Sequence, residues 1–428
     1  MFLKNASWLL FDRLVRIFGG LFIGVWIARY LGPGDFGVLN YALAYVAFFQ
    51  IFANLGLNQI VVREVVKYPK LTKYILGTAF GLKFFGSILA LISVFISLLF
   101  IQTDHITRLV IFILTIRIVF QSVDVIDYFF QAKVISKNTV IARSLAFLCS
   151  SLLSIFFILF EYSVIYFALS LLVDLLLSAL FLLILYQKNS YEFKQWRFSK
   201  KIAINLMKFS WPLALSVFLI SIHTKIDQVM IGNMLDIEQV GIYSVAIQLS
   251  GAWLFFPAIL VSTLMPYFVS LRESDNVLYH YRLIQLYSLM FWMGVFVGLV
   301  VIIFGESIIG LLFGVAYIDA YMALVFNIWN GIFISQGVAR GIWMISENLQ
   351  IYRLYSNIIA VVLNISVNLL LIPKYGIVGA AMATLMTQAL GTWVVSLFWK
   401  PLRDSTLDMI RSVNPLYLFN LKNDKLNA

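Results

Sequence analysis

Long apolar runs, separated by short polar breaks, recur along the whole chain. Each run is close to the ~20 helical residues that cross a hydrocarbon core of ~30 Å. Period-2 alternation is scarce, so the pattern favours membrane-spanning helices over the strands of a transmembrane barrel. It predicts an all-α integral membrane protein with about twelve spans, at residues 14–30, 37–60, 76–101, 106–128, 139–160, 163–187, 206–231, 239–268, 283–305, 318–346, 354–373 and 376–399.

Composition supports the membrane assignment and argues against several other classes of protein. Of the 428 residues, 62% are hydrophobic and only 12% are charged, whereas a soluble domain has ~45–50% apolar and ~25% charged residues. The chain has one cysteine and three scattered histidines, so we expect no internal disulfide and no metal or other cofactor. It also lacks the G-x-x-x-x-G-K-[ST] loop that binds ATP phosphates. We therefore expect a membrane protein that is not an enzyme.

The basic residues predict the orientation of the chain. With the N-terminus in the cytoplasm, the outer segments hold only Arg29, Arg108 and Lys374. The inner segments hold 22 of the 31 basic residues: Lys4, Arg13, Arg16, Arg63, Lys67, Lys70, Lys73, Lys133, Lys137, Lys188, Lys194, Arg197, Lys200, Lys201, Arg272, Arg282, Arg353, Lys400, Arg403, Arg411, Lys422 and Lys425. Because Lys and Arg concentrate in cytoplasmic loops, both termini are predicted to be cytoplasmic. The same loops account for the net charge of +11 without nucleic-acid binding.

The chain divides into two similar halves. Leu31–Val38 follows the first span, and the similar segment Leu235–Ile242 follows the seventh. This spacing predicts a parallel repeat about an axis along the membrane normal, as in many transporters. We expect an N-terminal six-helix lobe at 1–187, a basic cytoplasmic linker at 188–205, a C-terminal six-helix lobe at 206–400 and a cytoplasmic tail at 401–428.

Several short motifs resemble those of polysaccharide-biosynthesis transporters. They are Leu31-Gly32-Pro33-x-Asp35-Phe36-Gly37, Phe209-Ser210-Trp211-Pro212, Lys225-x-Asp227 followed by Ile231-Gly232, Val240-Gly241-x-Tyr243-x-x-Ala246, and Pro373-x-Tyr375-Gly376-Ile377-x-Gly379-Ala380-Ala381. Their order and spacing cover almost the whole length. The chain therefore resembles the Wzx-type O-unit flippases of the multidrug/oligosaccharidyl-lipid/polysaccharide exporter superfamily.

The resemblance implies a fold, a cargo and partners. It implies two pseudo-symmetric lobes that form a V-shaped central cavity, open to one side of the membrane at a time. The cargo would be an undecaprenyl-diphosphate-linked oligosaccharide, such as an O-antigen unit of lipopolysaccharide. It would move from the inner to the outer leaflet of the bacterial inner membrane, driven by an H⁺ or Na⁺ gradient. Membrane lipids, a polysaccharide polymerase and a chain-length regulator would be the partners.

Charged side chains inside the spans mark candidate sites, because each costs ~2.5–3.5 kcal/mol at mid-membrane. Arg117 and Asp174 lie closest to the centres of their predicted spans. On an uninterrupted α-helix, Arg117, Gln121 and Asp124 share a face that continues to Gln131. This face either lines a cavity in which Arg117 attracts a diphosphate or a charged sugar, or it joins helices through an ion pair of Arg117 with Asp124 or Asp174. Asp174 is in addition a candidate for proton or ion coupling.

Other charged side chains lie nearer the ends of the spans, where they could face either a substrate cavity or the membrane interface. Lys225 and Asp227, near the outer end of the seventh span, either contact substrate, or Lys225 extends to the periplasmic interface. Arg143 lies one or two turns inside the cytoplasmic boundary, so we expect its guanidinium to extend to the interface. For Lys83 the pattern does not decide between the cavity and the interface.

Two more polar faces lie on later spans. The tenth span presents Trp329, Gln336, Arg340 and Trp343 at helical spacing, and the eleventh presents Asn357, Asn364 and Asn368. Aromatic rings with a guanidinium suit a sugar phosphate, although tryptophan is also common in interfacial belts. The asparagines either bind sugar hydroxyls or hydrogen-bond a neighbouring helix.

Other functions remain open at this point. A cation-coupled drug exporter of the same fold would favour an acidic cavity, which the arginines within the spans oppose. A relative of lipid II flippases is possible, although about twelve spans fit the O-unit class better than a fourteen-span class. A polymerase or glycosyltransferase would need a large periplasmic loop, and the predicted outer loops are short.

Overall fold

A computed structural model describes residues 2–101, 103–189, 191–347 and 349–419. These residues are almost entirely helical and contain no strand. The α-helices are α1 Phe2–Asn54, α2 Leu57–Lys67, α3 Thr72–Leu98, α4 His105–Phe120, α5 Val125–Ala132, α6 Lys137–Leu159, α7 Val164–Lys188, α8 Lys200–Met234, α9 Ile237–Ala252, α10 Phe255–Ser274, α11 Asn276–Leu312, α12 Ala320–Ser346, α13 Gln350–Ala389, α14 Ser396–Phe398, α15 Arg403–Arg411 and α16 Leu416–Phe419.

Ten helical segments in the described ranges are long and apolar enough to cross a membrane. Two of them, Leu14–Lys67 and Ile351–Phe398, have 54 and 48 residues. At 1.5 Å per residue, helices of that length would extend ~70–80 Å, more than twice the hydrocarbon thickness. Each is bent at a glycine and holds two of the predicted spans. The multi-pass, all-α architecture with twelve spans is therefore confirmed.

Glycine makes both bends possible, because it adopts positive φ without steric penalty. Gly32 has φ +70° in α1, and Gly376 has φ +60° in α13. In the second half, the segment similar to the Gly32 region also separates two helices. There the Asp236 carboxylate accepts a hydrogen bond of 2.8 Å from the backbone N–H of Gln239 and caps α9. The two copies of the repeated motif thus both lie at a junction between helices.

Contacts divide the chain into two compact units with their boundary between Val229 and Met230. In unit 1, α1 packs against α3, α4, α6 and α7, and α6 packs along α7. In unit 2, α12 is central and packs against α9, α10, α11 and α13. The lobe boundaries expected from the repeat remain a prediction.

The connection before α8 is folded against unit 1. The Trp196 indole N–H donates to the Tyr186 hydroxyl at 3.1 Å, and the Arg197 backbone N–H donates to the carbonyl of Lys73 at 3.3 Å. Gly77 permits this approach, since a β-carbon on it would lie 2.6 Å from the Arg197 backbone nitrogen. The segment predicted as a linker is therefore held in place at residues 191–199.

The residues after the last span fold back into unit 2. The Arg340 guanidinium is 3% exposed and donates to the hydroxyls of Thr406 at 2.8 Å and Ser396 at 2.9 Å, and to the Leu402 carbonyl at 3.1 Å. Gln336 donates to the Ser412 hydroxyl at 3.1 Å. The predicted tail is thus packed at residues 402–412, and its residues 420–428 lie outside the described ranges.

We expect Gly86→Ala to destabilise the contact between α3 and α1. A β-carbon on Gly86 would collide with the Phe52 carbonyl oxygen, and overpacking of this kind costs about 1–3 kcal/mol. Thermal unfolding in detergent, followed by size-exclusion chromatography, measures the loss. Gly20→Ala is the control, because nothing lies within 4 Å of its added carbon. Equal melting temperatures for the two variants would contradict the close approach.

We expect Arg340→Met to release the segment 402–412 from unit 2. The substitution removes charge-assisted hydrogen bonds, so the melting temperature should fall by about 5–10 °C. Limited trypsin digestion should then cut after Lys400 and Arg403 faster than in the wild type. Arg411→Met within the released segment is the control, since that side chain is 62% exposed. Unchanged digestion in Arg340→Met would show that the segment is held by other contacts.

Candidate functional site

The fourth span is not a continuous α-helix. α4 ends at Phe120, Gln121–Asp124 form a 3-10 turn, and α5 begins at Val125. Each 3-10 residue turns the chain by ~120° instead of ~100°, so four such residues rotate α5 relative to α4 by roughly 80°. The single face predicted from Arg117 to Gln131 is therefore broken at this turn.

Arg143 on α6 forms the ion pairs of this region. Its Nη2 lies 3.3 Å from Asp124 Oδ1 and 3.0 Å from Asp127 Oδ2. The Asp127 side chain is only 4% exposed, and its Oδ2 also accepts a hydrogen bond of 3.0 Å from Gln131. Two carboxylates thus bind the Arg143 guanidinium, whose side chain is 30% exposed, and its extension to the interface stays a prediction.

Arg16 on α1 joins the same network. Its Nη2 donates to the backbone carbonyl of Arg143 at 2.8 Å, and its Nε lies 3.3 Å from Asp12 Oδ1. The sequence placed Arg16 among the residues of the inner surface. It lies against α6, where it helps to surround Asp174 with positive charge, and its position on the cytoplasmic side stays a prediction.

Lys83 on α3 is completely buried. Its ammonium donates to the Tyr128 hydroxyl at 3.3 Å and lies 5.6 Å from the centre of the Tyr128 ring. Asp124 and Arg143 are its charged neighbours. Full burial excludes the interfacial position that the sequence left open for Lys83.

Arg117 differs from the other arginines of unit 1. Its Nε is buried and has no hydrogen-bond partner in the described part of the chain. Asp174 on α7 acts on it electrostatically, but no ion pair within 4.0 Å joins these two residues. Asp174 accepts a weak hydrogen bond of 3.5 Å from the Ser150 hydroxyl and lies in the field of three guanidiniums. Neither of the ion pairs anticipated for Arg117 forms within 4.0 Å: Asp124 is bound to Arg143, and Asp174 acts on Arg117 only at longer range.

These residues form one electrostatic network inside unit 1. We name it the charge cluster, and it comprises Asp12, Arg16, Lys83, Arg117, Asp124, Asp127, Arg143 and Asp174. Its acidic and basic members are equal in number, but three of the four carboxylates are held by Arg16 and Arg143. A guanidinium without a close carboxylate can donate two parallel hydrogen bonds to a phosphate. The cluster is therefore suited to receive an anion at Arg117.

A cavity of about 250 Å³ adjoins the cluster through Tyr128. It lies where the second span breaks, since Leu55 has φ +49° and Gly56 has φ +63°. Positive φ is unusual for leucine and marks local backbone strain. The amides of Asn54 and Asn58 line the cavity and provide donors and acceptors beside the charged groups.

Lys225 and Asp227 lie on α8, close to the end of unit 1. Lys225 donates to Gln228 Oε1 at 3.2 Å, one helical turn further along α8. Asp227 is 4% exposed. Their predicted role in substrate binding stays a prediction.

The polar residues predicted in unit 2 contact protein groups. Gln336 and Arg340 hold the segment 402–412, and Gln336 also accepts a hydrogen bond of 2.9 Å from the Trp393 indole. Trp329 covers Gly298, and Trp343 is buried in the core. The asparagines are joined across two spans by Asn368 to Asn364 at 3.1 Å and by Asn364 to Thr384 at 3.2 Å, while Asn357 is half-buried. Their proposed contacts with substrate likewise remain predictions.

Sequence reasoning missed the roles of Arg16, Asp12 and Arg143. The spacing of four residues between Asp12 and Arg16 is a helical pairing signal that was available. The partners of Arg143 follow only from the packing of α5 against α6. In the described ranges, no group of three or more His, Cys, Asp or Glu residues could hold a metal ion.

Comparisons with known proteins agree with this architecture. The chain is 23% identical over 402 residues to the capsular polysaccharide biosynthesis protein CapF of Staphylococcus aureus, covering 90% of this chain and 96% of CapF. It is 28% identical over 212 residues to the probable low-salt glycan biosynthesis flippase Agl15 of Haloferax volcanii, covering 46% and 44% of the two chains. The solved structure of the lipid II flippase MurJ, in an inward closed conformation, has the same fold. That structure matches with a TM-score of 0.72 at 16% identity, covering 99% of this chain and 94% of MurJ.

Residues 2–272 match the polysaccharide biosynthesis protein family, which is more than half of the 428 residues. This stretch includes all of unit 1 and therefore the whole charge cluster. The chain belongs to the polysaccharide biosynthesis protein family.

Proposed function

We propose that this protein translocates undecaprenyl-diphosphate-linked oligosaccharide units, such as O-antigen units, across the bacterial inner membrane. The units move from the inner to the outer leaflet by alternating access of two six-helix lobes, with both termini in the cytoplasm. Family membership and the flippase names of Agl15 and MurJ support a lipid-linked glycan as cargo. Polymerase and chain-length regulator would act on the units after they have crossed.

Arg117 is the single observation that carries the proposal. Its Nε is buried without a hydrogen-bond partner, and no carboxylate pairs with it within 4.0 Å in the described part of the chain. A guanidinium in this state is costly in a membrane and calls for a ligand. A diphosphate offers two adjacent anionic groups, and arginine binds such groups through paired hydrogen bonds. Lys83 lies in the same network and provides a second cation without an ion pair in the described part of unit 1.

The cavity at Leu55 and Gly56 suits the sugar part of the cargo. Asn54 and Asn58 can both donate to and accept from hydroxyl groups. The cavity contacts Tyr128, which also binds Lys83. A diphosphate at the charge cluster would thus leave its first sugar close to these amides.

Asp174 is the residue that would couple the binding of an ion to the binding of the cargo. Without cargo, Arg117 belongs to the positive field that balances the Asp174 carboxylate. An anionic cargo bound to Arg117 would compete with Asp174 for that guanidinium. An H⁺ or Na⁺ ion bound at Asp174 would then neutralise the carboxylate in place of Arg117, so cargo and ion would be bound together.

We expect deletion of the gene to abolish surface polysaccharide and to trap complete lipid-linked units on the cytoplasmic leaflet. Both quantities are measured in the native bacterium, by polymer staining and by leaflet-specific labelling of the units. Single unpolymerised units at the surface would indicate a polymerase instead. Unchanged polysaccharide would contradict the proposal and favour a drug exporter of the same fold.

We expect Arg117→Gln to lower transport by about 10–100-fold, the loss expected for removal of a charge-assisted hydrogen bond to the diphosphate. Complementation of the deletion strain measures surface polymer and trapped units. Arg117→Lys should restore part of the activity because it keeps the charge. The control is Arg108→Gln on the same helix, near its exposed end. If Arg117→Gln transported as well as the wild type, the Arg117 guanidinium would not be part of the binding site.

We expect Asp174→Asn to impair transport while the protein still inserts and folds. The amide keeps the shape of the carboxylate but can no longer exchange an H⁺ or Na⁺ ion. Surface polymer, membrane content and melting temperature are compared with those of Glu306→Gln, which changes an exposed carboxylate of unit 2. Full activity in Asp174→Asn would exclude this residue from ion coupling.

A further inference from the structure

Three basic segments meet at the end of unit 1 that is predicted to be cytoplasmic. They are residues 67–73, 133–137 and 188–201, and Glu192 is their only acidic residue. Their basic residues are Lys67, Lys70, Lys73, Lys133, Lys137, Lys188, Lys194, Arg197, Lys200 and Lys201. The Glu192 carboxylate accepts a hydrogen bond of 2.9 Å from the Gln195 amide.

A cavity of about 220 Å³ lies between these segments. Lys73 and Lys133 line it, and neither forms an ion pair within 4.0 Å in the described part of the chain. Thr72 and Tyr191 bring hydroxyl groups to the same space. Even with Glu192 counted, the lining carries a net positive charge. The cavity therefore presents several donors to an anion.

The walls of the cavity are fixed before any ligand binds. Tyr191 packs edge-on against Phe129 at 4.6 Å between ring centres, and Tyr186 accepts the hydrogen bond from Trp196. The Arg197 backbone bond to Lys73 holds the connecting segment against α3. Such a preformed site loses little conformational entropy on binding.

We propose that this cavity binds a phosphate group, and that the headgroup of an anionic phospholipid supplies it. Ammonium and hydroxyl donors suit phosphate oxygens. Tyrosine and tryptophan are enriched at the depth of the headgroups, and basic pockets on the cytoplasmic side bind anionic lipids. The volume is below the ~300–1,000 Å³ of typical ligand sites, which suits one headgroup. The site is separate from the charge cluster, and the proposal does not depend on the identity of the cargo.

The test uses the full-length protein in nanodiscs of phosphatidylglycerol and phosphatidylcholine. Native mass spectrometry measures how much phosphatidylglycerol stays bound. We expect Lys73→Gln/Lys133→Gln to reduce the retained phosphatidylglycerol by about tenfold or more. The control is Lys188→Gln/Lys194→Gln, which makes the same change in net charge in the same basic region without altering the lining. Lys73→Arg/Lys133→Arg should keep the bound lipid, and it tests the proposal if the glutamine variant does not fold.

A second experiment distinguishes a lipid headgroup from a free phosphate compound as the source of the phosphate group. Lipid-depleted protein in neutral detergent is titrated with inorganic pyrophosphate. Binding that depends on Lys73 and Lys133, with unaltered phosphatidylglycerol retention in nanodiscs, would confirm a phosphate site but overturn the lipid as its source. Equal retention in the glutamine variant and the control, with no pyrophosphate binding, would overturn the site itself. Transport assays are not needed, so failure here is distinguishable from failure of the proposed flippase function.

Discussion

The pairing of Arg143 with Asp124 and Asp127 is the interaction on which unit 1 depends. It joins α6 to the 3-10 turn of the fourth span and to α5 and, through the backbone carbonyl of Arg143, holds Arg16 of α1. A charge in hydrocarbon has no water to solvate it, so its partner must come from the protein. Because Arg143 takes two carboxylates, the remaining arginine of the region is left without one. The same distribution of charge thus lets Arg143 stabilise unit 1 and leaves Arg117 without an ion pair.

In unit 2, a buried arginine likewise needs partners from the protein, but there it finds hydroxyl and carbonyl groups instead of carboxylates. Arg340 is 3% exposed, and its guanidinium donates to hydroxyl and carbonyl acceptors from the segment that runs from the end of α13 to α15. Both Nη groups of Arg340 are hydrogen-bonded and only its Nε has no partner in the described part of the chain, so an anionic ligand would first have to break these bonds to be bound by the Nη groups. The two arginines therefore differ in their partners: the Nη groups of Arg340 are bound by other protein groups, whereas no carboxylate pairs with Arg117 within 4.0 Å in the described part of the chain.

The sequence predicted those parts of the structure that depend on local pattern. Hydropathy predicted all twelve spans, and the repeated motif predicted the junctions at Gly32 and Asp236. The segment 402–412 was not predicted to pack, because its partners Arg340 and Gln336 lie 60 or more residues earlier in the chain. Likewise, the pairing of Arg143 depends on how α5 meets α6, which no short pattern encodes. Charged and polar residues in the spans could be recognised from the sequence, but their partners could be found only from tertiary packing.

The short 3-10 turn at Gln121–Asp124 links these observations. In an uninterrupted helix, Asp124 would lie on the same face as Arg117, seven residues earlier, and would compete for it. The extra rotation of roughly 80° turns Asp124 and Asp127 toward α6 instead. There Arg143 neutralises both carboxylates, so neither is available to Arg117. A local change of helix type thereby separates the charges that stabilise the unit from the guanidinium that is available to a ligand. Restoring a regular helix here would be expected to return Asp124 to the face of Arg117 and to close the site.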